Sequence, residues 1–305
     1  EGNENWFSAH QKIEAPETPV TPETFGQFVA QTYAPDRILE EAVDFIDNNA
    51  DEPFFLYFAS TIPHLALQIP DEELDAYPKE WDVEPYLGEK GYLPHPRPRA
   101  AYAAMITRFD AEVGALHDAL VRNGVAENTI VIVTSDNGPS WVGGVDREFF
   151  NSSGWLRGRK AQLFEGGIRV PTVVWWPSVI EAGSQNDSPS AFWDWYPTLM
   201  QLGRGIAPEC DGVSLVPLLT GADKKKRRGL YWEYGNTQAY RNGDWKLILQ
   251  KSQQGVEVML FNLKEDPTEK VNRADEFPAK VNQLKSEAMV SRTKSTDFAS
   301  FLDKE

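Results

Sequence analysis

The sequence predicts an α/β fold in which a mostly parallel sheet is flanked by helices, followed by a small antiparallel sheet with a helix. Three observations predict it. Between residues 36 and 176, short apolar runs typical of buried strands alternate with longer amphipathic stretches typical of helices. Within residues 230–262, four alternating segments are separated by turn residues. A last stretch, 278–289, is predicted to form a C-terminal helix.

Length, composition and charge limit the classes of protein to consider. A chain of 305 residues that is 41% hydrophobic can bury a large core and suggests one large domain or two smaller ones. Its formal net charge of −16 argues against nucleic acid and against an anionic membrane surface as partners. An anionic substrate would therefore need a locally basic pocket. The single cysteine, Cys210, excludes an internal disulfide framework.

We expect neither a membrane span nor a signal peptide within these residues. No apolar run reaches the ~18 residues that a spanning helix requires. The first residues, EGNENWFSAHQK, lack the charged and apolar regions of a signal peptide and begin with Glu instead of Met. We therefore expect a mature or truncated product.

In the first half of the chain we predict an arm, two helices, two strands and a long loop. Residues 1–32 are rich in Pro, Glu and Thr and are interpreted as an extended arm or loop. The proline-rich stretch 65–99 is interpreted as an irregular loop, and long loops at sheet ends are often functional. The predicted helices span 36–48 and 101–123, and the predicted strands span 54–59 and 129–134.

The second half begins with a third apolar strand at 172–176, which we expect to join the same parallel sheet. A helix is predicted at 191–202, kinked at Pro197, and a basic linker at 222–228. The antiparallel strands are predicted at 230–234, 238–241, 245–249 and 256–262. The expected domains are the arm 1–32, a catalytic-domain part 33–222 and a small α+β subdomain 223–305.

The most informative feature is a pair of oxygen donors at the end of the strand 129–134. Asp136 and Asn137 are hard ligands of the kind that Ca²⁺ and Mg²⁺ prefer. A cationic cluster, Arg157, Arg159 and Lys160, follows about twenty residues later. This order suits an enzyme that acts on a sulfate or phosphate ester. Taken separately, the pair also fits a plain turn, and the cations also fit a solvated basic loop.

In these segments the chain resembles the sulfatase family, the formylglycine-dependent sulfuric ester hydrolases of the alkaline-phosphatase-like superfamily. The resemblance extends from about residue 33 to residue 272. It rests on PFFLYFASTIPHLALQIP (53–70), AAYAAMITRFDAEVGALHDALVRNGVAENTIVIVTSDNGP (100–139), GWLRGRKAQLFEGGIRVPTVVWWP (154–177) and DGVSLVPLL (211–219). RNGDWKLIL (241–249) and LFNLKEDPTEKVN (260–272) are similar to the family's small C-terminal domain. The resemblance implies the alkaline-phosphatase-like fold.

The resemblance also implies roles for individual residues. Asp136 and Asn137 would be two ligands of a divalent cation, Ca²⁺ or Mg²⁺. Lys160 would bind the sulfate and stabilise charge on the leaving oxygen, and His64 would contact the sulfate and help to protonate the leaving group.

Three further residues, His95, Arg157 and Arg159, are candidates for contacting substrate. For His95 the alternative is a position on the loop surface. Arg157 either orients the anion or pairs with Glu165 in a structural role. Arg159 belongs to the same basic cluster, which is also compatible with a solvated loop.

Other family features are absent from these 305 residues. The nucleophile of the family matures to formylglycine from a C/S-x-P-x-R motif, and no such motif occurs here, since Cys210 lies in the unrelated context PECDGVSL. The paired aspartates of the first strand and a Gly-Lys-Trp-His-like segment are absent as well. We therefore expect the C-terminal portion of a sulfatase, incomplete at its N-terminus, with half a metal site.

Three functions remain open at this point. The first is a sulfuric ester hydrolase acting on a sulfated carbohydrate or an aryl sulfate. The second is a phosphatase or phosphonate-ester hydrolase of the same superfamily, and the third is a non-catalytic remnant that binds an anion or a protein. The resemblance implies a periplasmic or extracellular location. We also expect association, as a homo-oligomer or with a missing N-terminal segment, because an unpaired sheet edge invites pairing.

Overall fold

A computed structural model describes residues 21–29, 31–89, 91–222, 229–295 and 300. The chain groups into two compact units. Unit 1 comprises residues up to Arg122 together with Trp141–Asp146, and unit 2 comprises Asn123–Ser140 together with the chain from Arg147 onwards. The predicted domain boundaries at 32 and 222 stay predictions. The predicted linker lies almost entirely in 223–228, outside the described residues, as does most of the predicted arm.

Unit 1 is built on two helices that pack together, α1 (Ala34–Asn49) and α2 (Pro98–Arg122). Both were predicted from helical spacing, and both begin with a proline in the first turn, where no backbone N–H donor is needed. Ala42 and Ile46 of α1 are buried, as are several small residues of α2. The Arg122 guanidinium pairs with the Asp47 carboxylate at 2.8 Å.

The irregular loop before α2 is confirmed, and Arg97 pairs with several of its carbonyl groups. The loop contains two short 3-10 helices, Asp71–Ala76 and Lys79–Trp81. Arg97 donates hydrogen bonds to the carbonyl oxygens of Leu74, at 3.0 Å, and Tyr77, at 2.9 Å. A buried loop must have its carbonyl groups paired in this way, because unpaired polar groups are costly inside a protein.

The strand predicted at 54–59 does not form. In the described part of the chain this segment joins no sheet, although its side chains alternate between half-buried and exposed as in a strand. Phe55 and Tyr57 are 67% and 68% exposed, whereas Phe54 packs edge-on against Phe45 of α1. The apolar run predicted the alternation correctly. A strand also needs a partner backbone, which local sequence does not reveal.

In unit 2, β1 (Val131–Thr134) and β2 (Thr172–Trp175) form a two-stranded sheet. The two strands are antiparallel, with Val131 opposite Trp175 and Thr134 opposite Thr172. The prediction that 54–59, 129–134 and 172–176 share one mostly parallel sheet is therefore wrong for the described residues. The connection from β1 to β2 contains only the single-turn helices α3 (Arg147–Phe150) and α4 (Glu165–Ile168), and lacks the long crossover helix typical of parallel pairing.

The C-terminal antiparallel sheet is confirmed. It has the order β3 (Leu230–Tyr234), β4 (Thr237–Asn242), β5 (Trp245–Ser252) and β6 (Gly255–Asn262), all antiparallel. The helix α7 (Pro278–Ser291) packs on one face through buried Leu284 and Ala288. The opposite face covers Leu163, which precedes α4. The α/β class with this small sheet is thus the observed architecture.

The helix predicted at 191–202 consists of a 3-10 turn, Phe192–Asp194, followed by α5 (Trp195–Leu202). Pro197 lies in the first turn of α5, where its missing N–H is not required. The buried Asp194 carboxylate accepts the N–H of Ala191 at 2.7 Å and that of Val213 at 2.9 Å. The short helix α6 (Val216–Leu219) follows. These contacts hold the turn that carries Trp193.

No helix within the described ranges combines the length and the apolar character needed to cross a bilayer.

Acid should destabilise unit 1 through His95. Burial lowers the pKa of His95 to about 4, although Asp82 and Asp71 oppose the shift, and Nδ1 accepts the Arg97 N–H at 3.0 Å. The stability that neutral His95 contributes is complete above its unfolded pKa of about 6.5 and is lost as the pH falls towards 4. We expect a loss of about 2 kcal/mol between pH 7 and pH 5 from this group alone.

Urea denaturation of His95→Asn at pH 7 and pH 5 checks this expectation. The asparagine Oδ1 can still accept the Arg97 N–H but does not titrate, so the variant should lose about 2 kcal/mol less than the wild type. His117→Asn is the control, since the His117 side chain is 44% exposed. Equal acid sensitivity of the wild type and the His95 variant would contradict the assignment.

Candidate functional site

The turn after β1 presents the two predicted metal ligands. Asp136 is exposed and Asn137 is half-buried. The Ser135 hydroxyl donates to the Asn137 carbonyl at 3.0 Å, and the Asn137 amide nitrogen donates to the Gly138 carbonyl at 3.0 Å. The second bond fixes the orientation of the amide, so that its Oδ1 oxygen remains an acceptor. Two hard oxygen atoms therefore follow one another at the end of the strand.

Close backbone contact joins this turn to helix α4. The Gly138 N–H donates to the Gly167 carbonyl at 3.0 Å. A Cβ atom on Gly138 would lie 2.0 Å from the Gly166 oxygen, and one on Gly167 would lie 2.0 Å from the Gln162 oxygen. Only glycine fits at these two positions, because the opposing atoms are backbone and cannot move aside.

The same contact brings Lys160 to the turn. Its backbone N–H donates to the Pro139 carbonyl at 2.9 Å. The cationic segment and the oxygen-donor turn, separated by about twenty residues in sequence, are thus held side by side. Asp136, Asn137 and Lys160 are therefore close together, while their catalytic and metal-binding roles stay predictions.

These three residues line one cavity of about 440 Å³ within unit 2. The rest of its wall comes mainly from aromatic side chains and from the segment before α4. Glu233 is the one other ionisable carboxylate among the lining residues, and it pairs with Arg292 at 2.7 Å. The other lining residues are Ala161, Gln162, Leu163, Gly167, Ile168, Trp193, Tyr231, Trp232 and Tyr234.

The aromatic wall was not predicted from the sequence. Trp232 and Tyr234 project from the same side of β3, and the rings of Trp193 and Trp232 meet at 6.0 Å with an interplanar angle of 60°. Burial, followed by Glu233, raises the pKa of Tyr231, so its phenol stays neutral. The only sequence signal was the aromatic run Tyr231-Trp232-Glu233-Tyr234, which is equally typical of an ordinary strand.

His64 lies in unit 1, and its implied contact with the sulfate stays a prediction. The imidazole is exposed, and its Nδ1 lies 2.8 Å from the Leu65 carbonyl oxygen. Because a carbonyl only accepts, Nδ1 carries the proton, and Nε2 is protonated only in the imidazolium form. The Tyr92 ring lies edge-on to the imidazole at 6.1 Å.

His95, in contrast, is 6% exposed, so the alternative that placed it on the loop surface is wrong. It lies next to Tyr86 in a short backbone bridge. Burial and the bond from Arg97 give it a structural task, and its contact with substrate remains a prediction that this burial does not favour.

The two arginines of the cationic cluster lie outside the group of residues that line the cavity. Arg157 stacks on Phe164 at 3.8 Å and donates to the Glu269 carbonyl at 2.6 Å. In the described part of the chain, Glu165 pairs with Lys246 and Arg241, so the predicted Arg157–Glu165 pair is not formed. Partial burial and the nearby Arg147 lower the pKa of Arg159. Anion binding by either arginine stays a prediction.

The donor set is partly suited to a divalent cation. Asp136 and Asn137 offer the hard oxygens that Ca²⁺ and Mg²⁺ prefer, but Ca²⁺ takes 6–8 of them. Among the described residues, no group of three or more His, Cys, Asp or Glu side chains could hold a metal ion. The two side chains therefore fit as part of a coordination shell.

Two family models and several known proteins are similar to this chain. The family model described as "Sulfatase" matches residues 2–206, and the model described as "N-sulphoglucosamine sulphohydrolase, C-terminal" matches residues 153–294. Steryl-sulfatase of Rattus norvegicus is 31% identical over 205 residues, covering 66% of this chain and 32% of that protein. N-acetylgalactosamine-6-sulfatase of Canis lupus familiaris is 29% identical over 236 residues, covering 75% and 40%.

Among solved structures, Ps i-CgsB in complex with k-i-k-neocarrahexaose is similar, with a TM-score of 0.69 and 28% identity. The match covers 85% of this chain and 54% of that one. The chain thus spans about a third of the rat relative's length and about half of the solved structure. The structural likeness places the fold with the alkaline-phosphatase-like sulfatases. Because the sulfatase model matches more than half of its residues, the chain belongs to the sulfatase family.

Proposed function

We propose that this chain provides the cation-binding turn and the sulfate-binding lysine of a sulfuric ester hydrolase that acts on sulfated carbohydrates. The observation that carries the proposal is the cavity that Asp136, Asn137 and Lys160 line together. Hydrolysis breaks the bond between sulfur and the ester oxygen, and water is consumed to give an alcohol and hydrogen sulfate. Negative charge develops on the departing oxygen, so a cation aimed there lowers the barrier.

Lys160 supplies that positive charge in a chain whose net charge is −16. The neighbouring carboxylate, Glu233, is paired with Arg292, which partly neutralises its negative charge beside the cavity. Asp136 and Asn137 would hold the divalent cation, which supplies Lewis-acid stabilisation of the sulfate oxygens when bound. His64 would protonate the leaving oxygen from Nε2 in its imidazolium form.

The aromatic wall supports a carbohydrate as the substrate. Trp193, Trp232 and Tyr234 offer flat apolar faces against which the C–H bonds of a sugar ring can pack, beside the charged end of the cavity. Ps i-CgsB was solved with a neocarrahexaose bound, and the canine relative is named for a sulfated sugar. An aryl sulfate would use the same wall by ring stacking.

A second function rests on the absence of a C/S-x-P-x-R motif from these 305 residues. Without that nucleophile, this chain alone would bind sulfated ligands and not turn them over. A phosphatase or phosphonate-ester hydrolase is the remaining alternative. We further propose a periplasmic or extracellular location and association, as a homo-oligomer or with a segment bearing the nucleophile.

Replacing Lys160 should weaken binding of a sulfated sugar. Titration calorimetry with N-acetylglucosamine 6-sulfate in excess Ca²⁺ should show an affinity lowered about tenfold or more in Lys160→Ala, because a charge-assisted hydrogen bond is lost. Lys264→Ala, an exposed lysine outside the cavity, is the control. Tighter binding of the matching 6-phosphate would favour the phosphatase alternative, and unchanged binding in Lys160→Ala would contradict the assignment.

The chain by itself should bind Ca²⁺ weakly. Two oxygen-donor side chains leave most of the coordination shell to water, and fewer protein ligands mean lower affinity. Calorimetry should give a dissociation constant no tighter than about millimolar, and Asp136→Asn should abolish the heat. Tight one-to-one binding by the wild type would show that other residues complete the shell.

Turnover of 4-nitrophenyl sulfate by the purified chain should be negligible, because no activated nucleophile is available to attack sulfur. The measurement is release of nitrophenol in the presence of Ca²⁺, with the no-protein rate as reference. Metal-dependent turnover that disappears in Lys160→Ala would prove this expectation wrong and would point to a different nucleophile.

A further inference from the structure

Outside the lining of the cavity, unit 2 contains a cluster of four charged side chains that the proposed chemistry does not use. Lys246 of β5 is fully buried, and its ammonium lies 2.8 Å from a Glu165 oxygen and 2.9 Å from a Glu269 oxygen. Arg241 lies 3.5 Å from the other oxygen of Glu165. Two cations and two carboxylates therefore balance one another inside the protein.

The strand register explains why both carboxylates are needed. Arg241 of β4 and Lys246 of β5 are direct cross-strand partners, and like charges placed opposite each other are destabilising. Glu165 and Glu269 neutralise them. Burial raises the pKa of the Glu269 carboxyl, while Lys246 opposes the shift.

Such a cluster is poorly explained by stability alone. Buried ion pairs lose much of their Coulomb energy to desolvation, and well-packed apolar side chains often replace them without loss. What the ion pairs provide here is a fixed orientation, since the Lys246 ammonium lies between the carboxylates of Glu165 and Glu269. The question is which part of the molecule they orient.

The contacts lead from the cluster to the cavity. Glu165 is the first residue of α4, and its backbone N–H donates to the Glu269 carboxylate at 2.6 Å. The next two residues, Gly166 and Gly167, are those that touch the turn at Gly138. Arg157 completes the connection, because its carbonyl accepts the Gly166 N–H at 2.6 Å while its guanidinium donates to the Glu269 carbonyl.

We propose that Lys246, Glu165 and Glu269 are positioning residues, which anchor α4 to the C-terminal sheet and thereby fix Lys160 relative to Asp136 and Asn137. None of the three lines the cavity. The functional part of this inference rests on the proposed sulfate-binding role of Lys160. Its geometric part does not, and can be measured without any ligand.

Amide hydrogen exchange tests the geometric part. The reporters are the N–H groups of Gly138 and Lys160, which bond to the Gly167 and Pro139 carbonyls. In Lys246→Met the two carboxylates face each other without the cation between them, so exchange at both reporters should become at least about tenfold faster. Glu165→Gln keeps the side-chain shape and leaves the Lys246–Glu269 pair. It should make exchange at both reporters about threefold faster.

The matched control is Leu284→Ala. Leu284 is 1% exposed and packs on the opposite face of the same sheet, so the variant loses global stability through a cavity without touching the cluster. In Leu284→Ala, the exchange rate at the two reporters should rise by no larger factor than that of the slowest amides of β5 and β6. The positioning role is overturned if, in Lys246→Met and Glu165→Gln, exchange at the reporters rises only as much as exchange at the slowest amides of β5 and β6. That is the pattern expected for Leu284→Ala, in which only global stability is lost.

Ligand binding supplies the second readout. Glu165→Gln should lower the affinity for N-acetylglucosamine 6-sulfate about threefold, although residue 165 does not line the cavity. If the wild type does not bind the sulfated sugar, the proposed function is wrong. The hydrogen-exchange measurement then still decides whether the three residues position Lys160. Faster exchange at the reporters with unchanged sulfate affinity would overturn the link between the cluster and the site.

Discussion

The backbone contact between the turn at Gly138 and helix α4 is the constraint on which the candidate site depends. Here two stretches of chain meet closely enough that a Cβ atom on Gly138 would lie 2.0 Å from the Gly166 oxygen. No side chain fits between two backbones this close, so the turn and helix α4 have little freedom to move relative to each other. Whatever binds between Asp136 and Lys160 meets a spacing that backbone atoms set.

Charge is organised locally against a strongly acidic background. The chain carries −16 overall, yet the carboxylate of Glu233 beside the cavity is paired with Arg292, and the buried carboxylates of Glu165 and Glu269 are paired with Lys246. These pairings reduce the negative potential near Lys160, whose anion-binding role stays a prediction. Pairing neutralises the acids nearest the site and leaves the exposed acids, which favour solubility, unchanged.

The four-stranded sheet and the segment 54–59 differ in how well their apolar side chains are covered. The four-stranded sheet has apolar clusters on both faces, including Leu247 and Leu260 on the α7 side and Ile248 and Phe261 on the other. It is therefore a rigid base for the aromatic wall on β3.

The segment 54–59 alternates as a strand does but has no partner among the described residues, and it exposes Phe55 and Tyr57. Such an unpaired apolar segment is compatible with association, which stays a prediction.

The sequence by itself determined the helices α1 and α2, the C-terminal antiparallel sheet and the segments that carry Asp136, Asn137 and Lys160. These features are local, because helical spacing, strand alternation and turn residues act over a few positions. A sequence motif can likewise be recognised without knowing which residues surround it in the folded protein. The family followed from the motifs for the same reason.

Only the tertiary structure decided the antiparallel pairing of β1 with β2, the burial of His95, the aromatic wall and the cluster around Lys246. Each depends on segments far apart in the chain, such as Glu165 and Glu269, which meet across 104 positions. Lys246 between the apolar residues of β5 was visible in the sequence, but its buried role could not be read without its partners Glu165 and Glu269. Non-local pairing is chosen by the packing of the whole unit, and no window of sequence contains that information.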